Sequence, residues 1–374
     1  MRYVDEFRNP KLAKGLVKKI AELPRRNVRL MMGGGMIAHV SAQTGLEDML
    51  PKQVKLILGP GCPRCVTPAS SIDYAIAVSE SPKTIVTVFG GMMMILGSSK
   101  SLKAKKAEGG DIRPVYSCRE VLNIALKNPE KNVVFVTIGY ETTSPTVAST
   151  LIEAQRRGIE NFYITRGHIL FTSIFKAFLE EGEAKLNGLL MPGPVSAIIG
   201  SRAYHFITER YNLPCVITGL EICDILQSIY MLLKQVEEDK PRVEVQYSRC
   251  VTEEGNLAAK KVLNEVFEIC DAPLRGFGVV PKSGLRLREK YSQFDAEKVY
   301  DVQVKEAKEL KGCICGEVLR GATAPSDCPL YDKACTPRRP VGPCMVDLRG
   351  TCRLYHRAHS SRGLLRRFTR LKGG

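Results

Sequence analysis

Short apolar runs alternate with amphipathic helical patterns through residues 54–234, and this alternation restricts the fold more than any other feature. Six runs have the composition of buried strands: Val54–Leu58, Thr84–Phe89, Val133–Ile138, Phe162–Thr165, Leu189–Met191 and Val216–Thr218. Five helical patterns accompany them: Ile72–Ser81, Cys118–Lys127, Pro145–Arg157, Ile169–Glu181 and Glu221–Lys234. Alternating strand and helix periods predict βαβ units on parallel sheets. Two sheets are expected, because the charged stretch 127–131 interrupts the pattern.

The same patterns suggest how the chain divides into domains. Residues 1–27 have the apolar stripe of an amphipathic helix that packs on the rest. Two α/β domains are expected over 28–128 and 129–237, followed by a charged linker that begins near residue 237. Helices are expected over Asn256–Ile269 and Ala296–Leu310, with a Gly/Pro-rich stretch at 273–284 between them. The helical and irregular region 238–355 then precedes a tail at 356–374.

Charge and hydropathy exclude some locations and partners. The chain has 55 Lys and Arg against 39 Asp and Glu, and from residue 349 onward it has eight basic residues and no acidic one. A tail of this kind is typical of a solvated segment, and nucleic-acid binding is the less favoured interpretation. The longest apolar stretch, Thr84–Gly97, is too short to cross a bilayer, and charges interrupt every N-terminal apolar run. We therefore expect a cytoplasmic protein with no membrane partner.

The C-terminal region is rich in cysteine and poor in apolar residues, so it needs something besides an apolar core to hold it together, and a metal is the first candidate. Four of its cysteines are separated by 12, 6 and 16 residues. These four candidate ligands are Cys315, Cys328, Cys335 and Cys352. Structural zinc sites use closer pairs, so the wide spacing favours a [4Fe–4S] cluster, with zinc and unligated thiols as alternatives. Cys313 and Cys344 are alternative ligands.

A Cys-x-x-Cys pair follows the expected strand Val54–Leu58, within the segment GPGCPRCVTP. Cys62 and Cys65 in this position favour a dithiol/disulfide couple, in which Arg64 stabilises a thiolate. The alternatives are half of a zinc site or two inert thiols, but no second pair nearby completes a zinc site. We therefore interpret Cys62 and Cys65 as the reactive pair.

Other features carry less information. Four cysteines in apolar surroundings are interpreted as packing residues: Cys118, Cys215, Cys223 and Cys270. Among the turns that follow apolar runs, GYETTSPTVA contributes Glu141 as the one carboxylate considered for chemistry. The glycines of MMGGGMIAH do not fit a phosphate loop, because Ala38 and Met36 stand where a glycine and a lysine are required.

Taken together, these motifs resemble the HypD family of hydrogenase maturation factors. The resemblance rests on GPGCPRCVTP, GYETTSPTVA, PGPVSAIIG, VVPKSGL, YSQFDA and the cysteine-rich end, in that order, and it runs from about residue 28 to 355. It implies two Rossmann-like parallel-sheet domains and a C-terminal iron–sulfur cluster domain. It also implies a part in building the Fe(CN)2CO group of [NiFe]-hydrogenases, together with partners resembling the chaperone HypC and the cyanide donor HypE. Cys62 and Cys65 match the family's relay pair, and the four cysteines spaced 12, 6 and 16 apart match its cluster ligands.

The departures from the family pattern lie in the central motifs. The family sequence MEVCGGHTH becomes MMGGGMIAH, so Gly34 replaces the iron-binding cysteine and only the second histidine remains, as His39. Met94 and Pro194 stand in place of a family arginine and histidine. A cleft that lacks its thiolate has lost a ligand that iron needs. An additional iron at His39 stays open as an alternative.

The function expected from the sequence is therefore redox maturation of a metallocentre, with a [4Fe–4S] cluster and the Cys62/Cys65 pair transferring electrons beside an altered cleft. Two alternatives remain open. One is a non-catalytic scaffold that binds a HypC-like chaperone. The other is an interaction module in which the cluster is structural.

Overall fold

The apolar runs form parallel strands in a computed structural model, which describes residues 5–23, 25–182, 185–302, 304 and 310–359. The strands are β1 Val28–Met32, β2 Val54–Leu58, β3 Thr84–Phe89, β4 Ile112–Val115, β5 Asn132–Val136, β6 Phe162–Ile164, β7 Gly188–Pro192, β8 Cys215–Thr218, β9 Val243–Val245, β10 Phe267–Leu274 and β11 Gly278–Leu287. All six expected strands are present. Their ends differ from the expected ends by two residues at most.

Helices connect and cover these strands. They are α1 Pro10–Ala21, α2 Gly35–Thr44, α3 Leu46–Met49, α4 Pro63–Val66, α5 Ala69–Val78, α6 Leu102–Ala107, α7 Cys118–Lys127, α8 Ser144–Arg156, α9 Phe171–Glu181, α10 Gly193–Ile199, α11 His205–Tyr211, α12 Ile222–Glu238, α13 Leu257–Val266, α14 Ala296–Val299, α15 Cys315–Leu319 and α16 Pro343–Val346. Short 3-10 helices occupy Asp5–Arg8, Gly90–Met92, Ser201–Tyr204, Glu289–Phe294 and Pro325–Asp327. Residues 351–359 are also helical. Within the described residues, no helix is long and apolar enough to cross a membrane.

Two parallel sheets confirm the expected α/β class. The first sheet has the order β2-β1-β7-β8-β9 and the second has the order β4-β3-β5-β6. The sheets do not follow the expected division at residue 128, because β1, which pairs with β2 on one side, pairs on its other side with β7 from the second expected domain. Leu30 of β1, for example, lies opposite Gly188 of β7. Periodicity identifies a strand, but it carries no information about which distant strand will pair with it.

Burial explains why these segments form strands and helices. Every residue of β7 and β8 is buried, as expected for parallel strands covered on both faces. Helix α12 packs on the first sheet, and α1 packs on α12 with Ile20 fully buried. The side chain of Asn9 caps α1 by accepting hydrogen bonds from the N–H groups of Lys11 and Leu12. The N-terminal segment is thus tied to the first sheet through α12.

The C-terminal third differs most from the expectation. The helix expected to reach Ile269 ends at Val266, and β10 and β11 form an antiparallel hairpin where a Gly/Pro-rich stretch was expected. Burial along β10 alternates from residue to residue, which is the period of a strand. The expected charged linker contains β9, which pairs with β8. The helix that begins at Ala296 ends at Val299, while residues 305–309 and the tail beyond 359 lie outside the described residues.

A candidate thiol and metal site beside a central cavity

A cavity of about 320 Å³ lies where the carboxyl ends of the two sheets meet. Loops that follow β1, β2, β5 and β7 line it, so it occupies the edge at which open α/β sheets bind ligands. Part of its wall is apolar and comes from Phe89, Met92, Ile138 and Phe171. Cys62, Arg64 and Arg349 also line it.

The glycines after β1 allow the surrounding loops to pack closely. A Cβ atom at Gly33 would lie 2.9 Å from the carbonyl oxygen of Leu190, and one at Gly35 would lie 2.6 Å from that of Arg349. At Gly34 it would lie 3.0 Å from the Cβ of Pro192. Each glycine is therefore explained by packing, without a phosphate. Gly61, in the loop before Cys62, contacts the backbone of Gly34, and any side chain at position 61 would overlap it.

The Cys-x-x-Cys pair lies at the start of the short helix α4, directly beside the cavity. Cys62 is the residue before the helix and borders the cavity, whereas Cys65 is fully buried beneath it. The Cys65 thiol lies in hydrogen-bond contact with the thiols of both Cys62 and Cys344. The contact with Cys344 lowers the pKa of Cys65, but the contact with Cys62 and burial together raise that pKa well above its ordinary value.

Arg64 joins this pair to the cysteine-rich region. Its guanidinium forms an ion pair with Asp347, whose side chain has no exposed surface, and it also contacts the Cys62 thiol. Burial lowers the pKa of Arg64, but the charges of Asp347 and Cys62 raise it further, so the net shift is upward. A side chain at Gly91 would collide with this guanidinium. Arg64 is therefore placed as the sequence suggested, and its buried counter-charge was not foreseen.

Cysteines from the C-terminal region continue the group of thiols that starts at Cys62. Cys344 lies in hydrogen-bond contact with Cys65 on one side and with Cys315 and Cys352 on the other. The contact with Cys315 is the main cause that raises the pKa of the Cys344 thiol well above its ordinary value. Two of the four expected cluster ligands, Cys315 and Cys352, are thus in mutual contact. Cys344, an alternative ligand in the sequence analysis, lies between them and Cys65.

The other expected ligands lie around this contact. Cys335 is buried, and its sulfur accepts a hydrogen bond from the N–H of Val341 at 3.3 Å. The Cys328 thiol lies 3.9 Å from the carbonyl oxygen of Gly312 and is half-buried. Cys313, the other alternative, contacts the Cys315 thiol. Among the described residues, no three His, Cys, Asp or Glu side chains are arranged around a single metal ion.

The chemistry of this donor set fits an iron–sulfur cluster better than a hard cation. The donors are thiols on loops and short helices, and a backbone N–H donates to the sulfur of Cys335. Hydrogen bonds to sulfur of this kind tune iron–sulfur clusters. The neighbouring Cys315 thiol and burial raise the pKa of the Cys313 thiol, and the positive charge of Arg275, which donates to the carbonyl oxygen of Thr67, opposes this only in part.

His39 and Glu141 lie outside the lining of the cavity. His39 is on α2 and its Nδ1 is buried without a hydrogen-bond partner, while burial and the charges of Arg357 and Arg349 lower its pKa. Glu141 is buried and accepts hydrogen bonds from the N–H of Phe171 at 3.0 and 3.2 Å. Burial raises the pKa of Glu141 to about 7. Its carboxylate thus holds the start of α9 and does not line the cavity.

Two lining residues were not singled out from the sequence. Tyr140 has a buried hydroxyl without a hydrogen-bond partner, and Arg349 lies at the cavity rim in the segment that follows α16. Tyr140 belongs to the motif GYETTSPTVA, which marked the loop but gave no reason to choose this side chain. In the sequence, Arg349 was counted only as the first of the eight basic residues from position 349 onward. No local pattern predicts that it folds back onto the loop after β1.

Comparisons with known proteins identify the family. The family model described as "HypD: Hydrogenase formation hypA family" matches residues 11–359. The hydrogenase maturation factor HypD2 of Bradyrhizobium diazoefficiens is 43% identical over 362 residues, which is 94% of this chain and 95% of that protein. A putative hydrogenase expression/formation protein of Methanocaldococcus jannaschii is 41% identical over 92% of this chain and 97% of its own length. The HypD of Azotobacter vinelandii is 40% identical over 95% and 96%, respectively. This chain therefore belongs to the HypD family.

Proposed function

We propose that this protein acts in hydrogenase maturation as a redox factor, in which the Cys62/Cys65 pair exchanges electrons with a [4Fe–4S] cluster bound in the cysteine-rich region. The names of its relatives support the maturation role. The expected cluster ligands are Cys315, Cys328, Cys335 and Cys352. When bound, such a cluster supplies single electrons at a tunable potential.

One observation carries this proposal: the Cys65 thiol contacts Cys344, which in turn contacts Cys315 and Cys352. The reactive pair and two of the proposed ligands therefore belong to one continuous group of sulfur atoms. Sulfurs in contact need no large movement for thiol exchange or electron transfer. The pair is remote from the cluster ligands in sequence, so this proximity arises only from folding.

Arg64 has a definite part in this chemistry. Oxidation of the two thiols to a disulfide releases two electrons and two protons, and the attacking species is a thiolate. The Arg64 guanidinium lies in contact with the Cys62 sulfur, where it would be the counter-charge of a thiolate. Asp347 holds the guanidinium in place. Cys62 is therefore the sulfur that meets a ligand in the cavity, and Cys65 is the one that passes electrons inward.

The partners that fit this role are maturation proteins resembling HypC and HypE. One exposed apolar side chain, that of Leu348 at 66% exposure, comes directly before Arg349 of the cavity rim in the chain and is available to a protein partner. With Gly34 in the place of the family's iron-binding cysteine, the loop after β1 offers no thiolate to a metal. We place this activity in the cytoplasm, with no membrane or nucleic-acid partner.

An anaerobic reductive titration tests the proposal. The protein is purified without oxygen, its iron and sulfide are measured, and the oxidised form is titrated with dithionite while the visible absorption is followed. We expect about four iron and four sulfide per chain. We also expect Cys65→Ser to consume about two electrons fewer than the unsubstituted protein, because the disulfide couple is lost.

Cys250→Ser is the matched control, because Cys250 is an exposed cysteine away from the cavity lining. It should consume as many electrons as the unsubstituted protein. Equal electron consumption by Cys65→Ser and the control would overturn the redox role of the pair. Protein that is purified with bound zinc and without sulfide would overturn the proposal that it binds a [4Fe–4S] cluster.

A further inference from the structure

We propose that the central cavity binds a small organic carboxylate, which the guanidinium of Arg349 and the hydroxyl of Tyr140 hold beside the Cys62 thiol. This inference rests on the proposed function only in treating Cys62 as the sulfur that meets the ligand. It assigns a chemical class of ligand to a cleft whose former iron ligand is replaced by Gly34. The charge, the unpaired polar group and the wall of the cavity each support it.

The charged groups that line the cavity are cationic. Arg64 and Arg349 are the basic residues among the lining residues, and no Asp or Glu is among them. Arg64 is already paired with Asp347. The side chain of Arg349, in contrast, makes no ion pair or hydrogen bond with any residue that the structure describes. A guanidinium without an ion-pair or hydrogen-bond partner is suited to bidentate binding of a carboxylate.

Tyr140 supplies a second and independent indication of a ligand. Its side chain lines the cavity, is only 5% exposed, and carries a hydroxyl that has no hydrogen-bond partner. The ring packs edge-on against Phe171, with centroids 5.2 Å apart. A buried polar group without a partner costs free energy. The hydroxyl has almost no accessible surface in this structure, so the ring would turn slightly toward a bound anion, whose oxygen would then accept its hydrogen bond.

Two helix ends strengthen the preference for an anion. Gly34 and Gly35 line the cavity at the start of α2, and Thr142 and Thr143 line it just before α8. Neither helix has a side-chain cap on its first N–H groups. The positive ends of both helix dipoles therefore border the cavity, together with N–H groups that are not capped by a side chain.

The remaining wall restricts the ligand to one with an apolar body. Phe89, Met92, Ile138 and Val195 contribute apolar surface, and the volume of about 320 Å³ is at the small end of the range for organic ligands. Inorganic phosphate would leave this apolar surface without a partner. It would also bring a second negative charge to a site with only one unpaired guanidinium. A monocarboxylate with an apolar group satisfies both parts of the cavity.

Protection of Cys62 from alkylation tests this inference directly. The anaerobic holoprotein is reduced and treated with iodoacetamide in the presence of benzoate or of benzamide, its neutral analogue of nearly the same shape. The modification rates of Cys62 and of the exposed Cys250 are read by peptide mass spectrometry. We expect benzoate to slow modification of Cys62 but not of Cys250, and benzamide to have little effect on either.

Variants identify the groups responsible. Arg349→Gln should weaken protection by benzoate about tenfold, as expected for loss of a charged hydrogen bond, and Tyr140→Phe should weaken it about fivefold. Arg338→Gln removes one positive charge from an exposed site that does not line the cavity, and it should leave protection unchanged. Equal protection by benzamide, no protection by benzoate, or full protection in Arg349→Gln would each overturn the proposal.

The two proposals fail in different ways. Protection is measured in reduced protein and requires no electron transfer. If the redox role is wrong, benzoate should still protect Cys62, including in the Cys65→Ser variant. If the carboxylate site is wrong, the electron count of the dithionite titration is unaffected.

Discussion

The guanidinium of Arg64 forms an ion pair with the carboxylate of Asp347, and the Asp347 side chain has no exposed surface. This ion pair joins α4, which contains Cys65 and directly follows Cys62, to the segment immediately after α16. Because a buried charge must keep its counter-charge, this contact fixes the orientation of Cys62 relative to the cysteine-rich region.

Asp347→Asn should therefore destabilise the protein. It leaves the Arg64 guanidinium without its partner, and we expect a loss of about 2–3 kcal/mol in the free energy of unfolding, at the low end for a buried pair because Arg64 keeps 27% exposure. Urea unfolding measures the loss. Glu268→Gln breaks an exposed pair with Arg286 and should cost under about 1 kcal/mol. Equal losses in the two variants would contradict the structural role of Asp347.

The contact between Cys65 and Cys344 leads to a second prediction. Mild oxidation of the reduced protein with diamide should yield a Cys65–Cys344 disulfide as well as the Cys62–Cys65 disulfide, because both partner thiols touch Cys65. Peptide mapping under non-reducing conditions detects both products. Cys344→Ser should abolish the first and retain the second, whereas Cys118→Ser should change neither, since that thiol is buried near Thr150. If only the Cys62–Cys65 disulfide forms, the thiols of Cys65 and Cys344 do not react with each other, which contradicts the prediction.

The loop that leads to the Cys62/Cys65 pair also depends on Gly61, where a Cβ atom would overlap the backbone of Gly34. Gly61→Ala should lower the free energy of unfolding by about 3 kcal/mol, because neither backbone segment can move away. Gly15→Ala is the matched control. Position 15 has no atoms within 4 Å of the added Cβ and lies within α1, so alanine there should raise stability by about 0.5–1 kcal/mol. A small effect at position 61 would show that the two loops are not tightly packed.

The sequence predicted local structure well where periodicity decides it. The strands Val54–Leu58 and Thr84–Phe89 and the helix Cys118–Lys127 have the bounds that were expected. Pairing partners were not predictable in the same way, since β1 pairs with β7 across the chain segment that forms the second sheet. The apolar content of a strand determines whether it is buried, but not which neighbour buries it.

The candidate site was predictable to the extent that motifs are local. Cys62, Cys65 and Arg64 lie within ten residues, and the structure places them together as expected. Asp347 and Arg349 reach the same site from nearly 300 residues away, and no spacing rule connects them to it. The sequence singled out Gly34 as an expected departure from the family pattern, but it gave no sign that this position lies against Pro192.

A final prediction concerns two buried titratable groups with opposite effects on stability. Burial raises the pKa of Glu141 from 4.5 to about 7, so the folded protein binds a proton there that the unfolded chain releases. The contribution of Glu141 to the free energy of unfolding has its full value below pH 4.5 and is lost as the pH rises to 7. Burial lowers the pKa of His168 from 6.5 to about 4. The contribution of His168 to the free energy of unfolding has its full value above pH 6.5 and is lost as the pH falls to 4.

Because the two contributions have opposite signs, they largely cancel between pH 4.5 and 6.5 in the unsubstituted protein. Glu141→Gln removes one of them, so its free energy of unfolding relative to the unsubstituted protein should increase by about 3 kcal/mol between pH 4.5 and 7. Urea unfolding at several pH values measures this difference. His168→Gln should give the opposite trend, losing relative stability as the pH rises from 4 to 6.5. A difference that stays constant with pH in Glu141→Gln would mean that Glu141 titrates as an ordinary exposed carboxylate, despite its burial and its hydrogen bonds to Phe171.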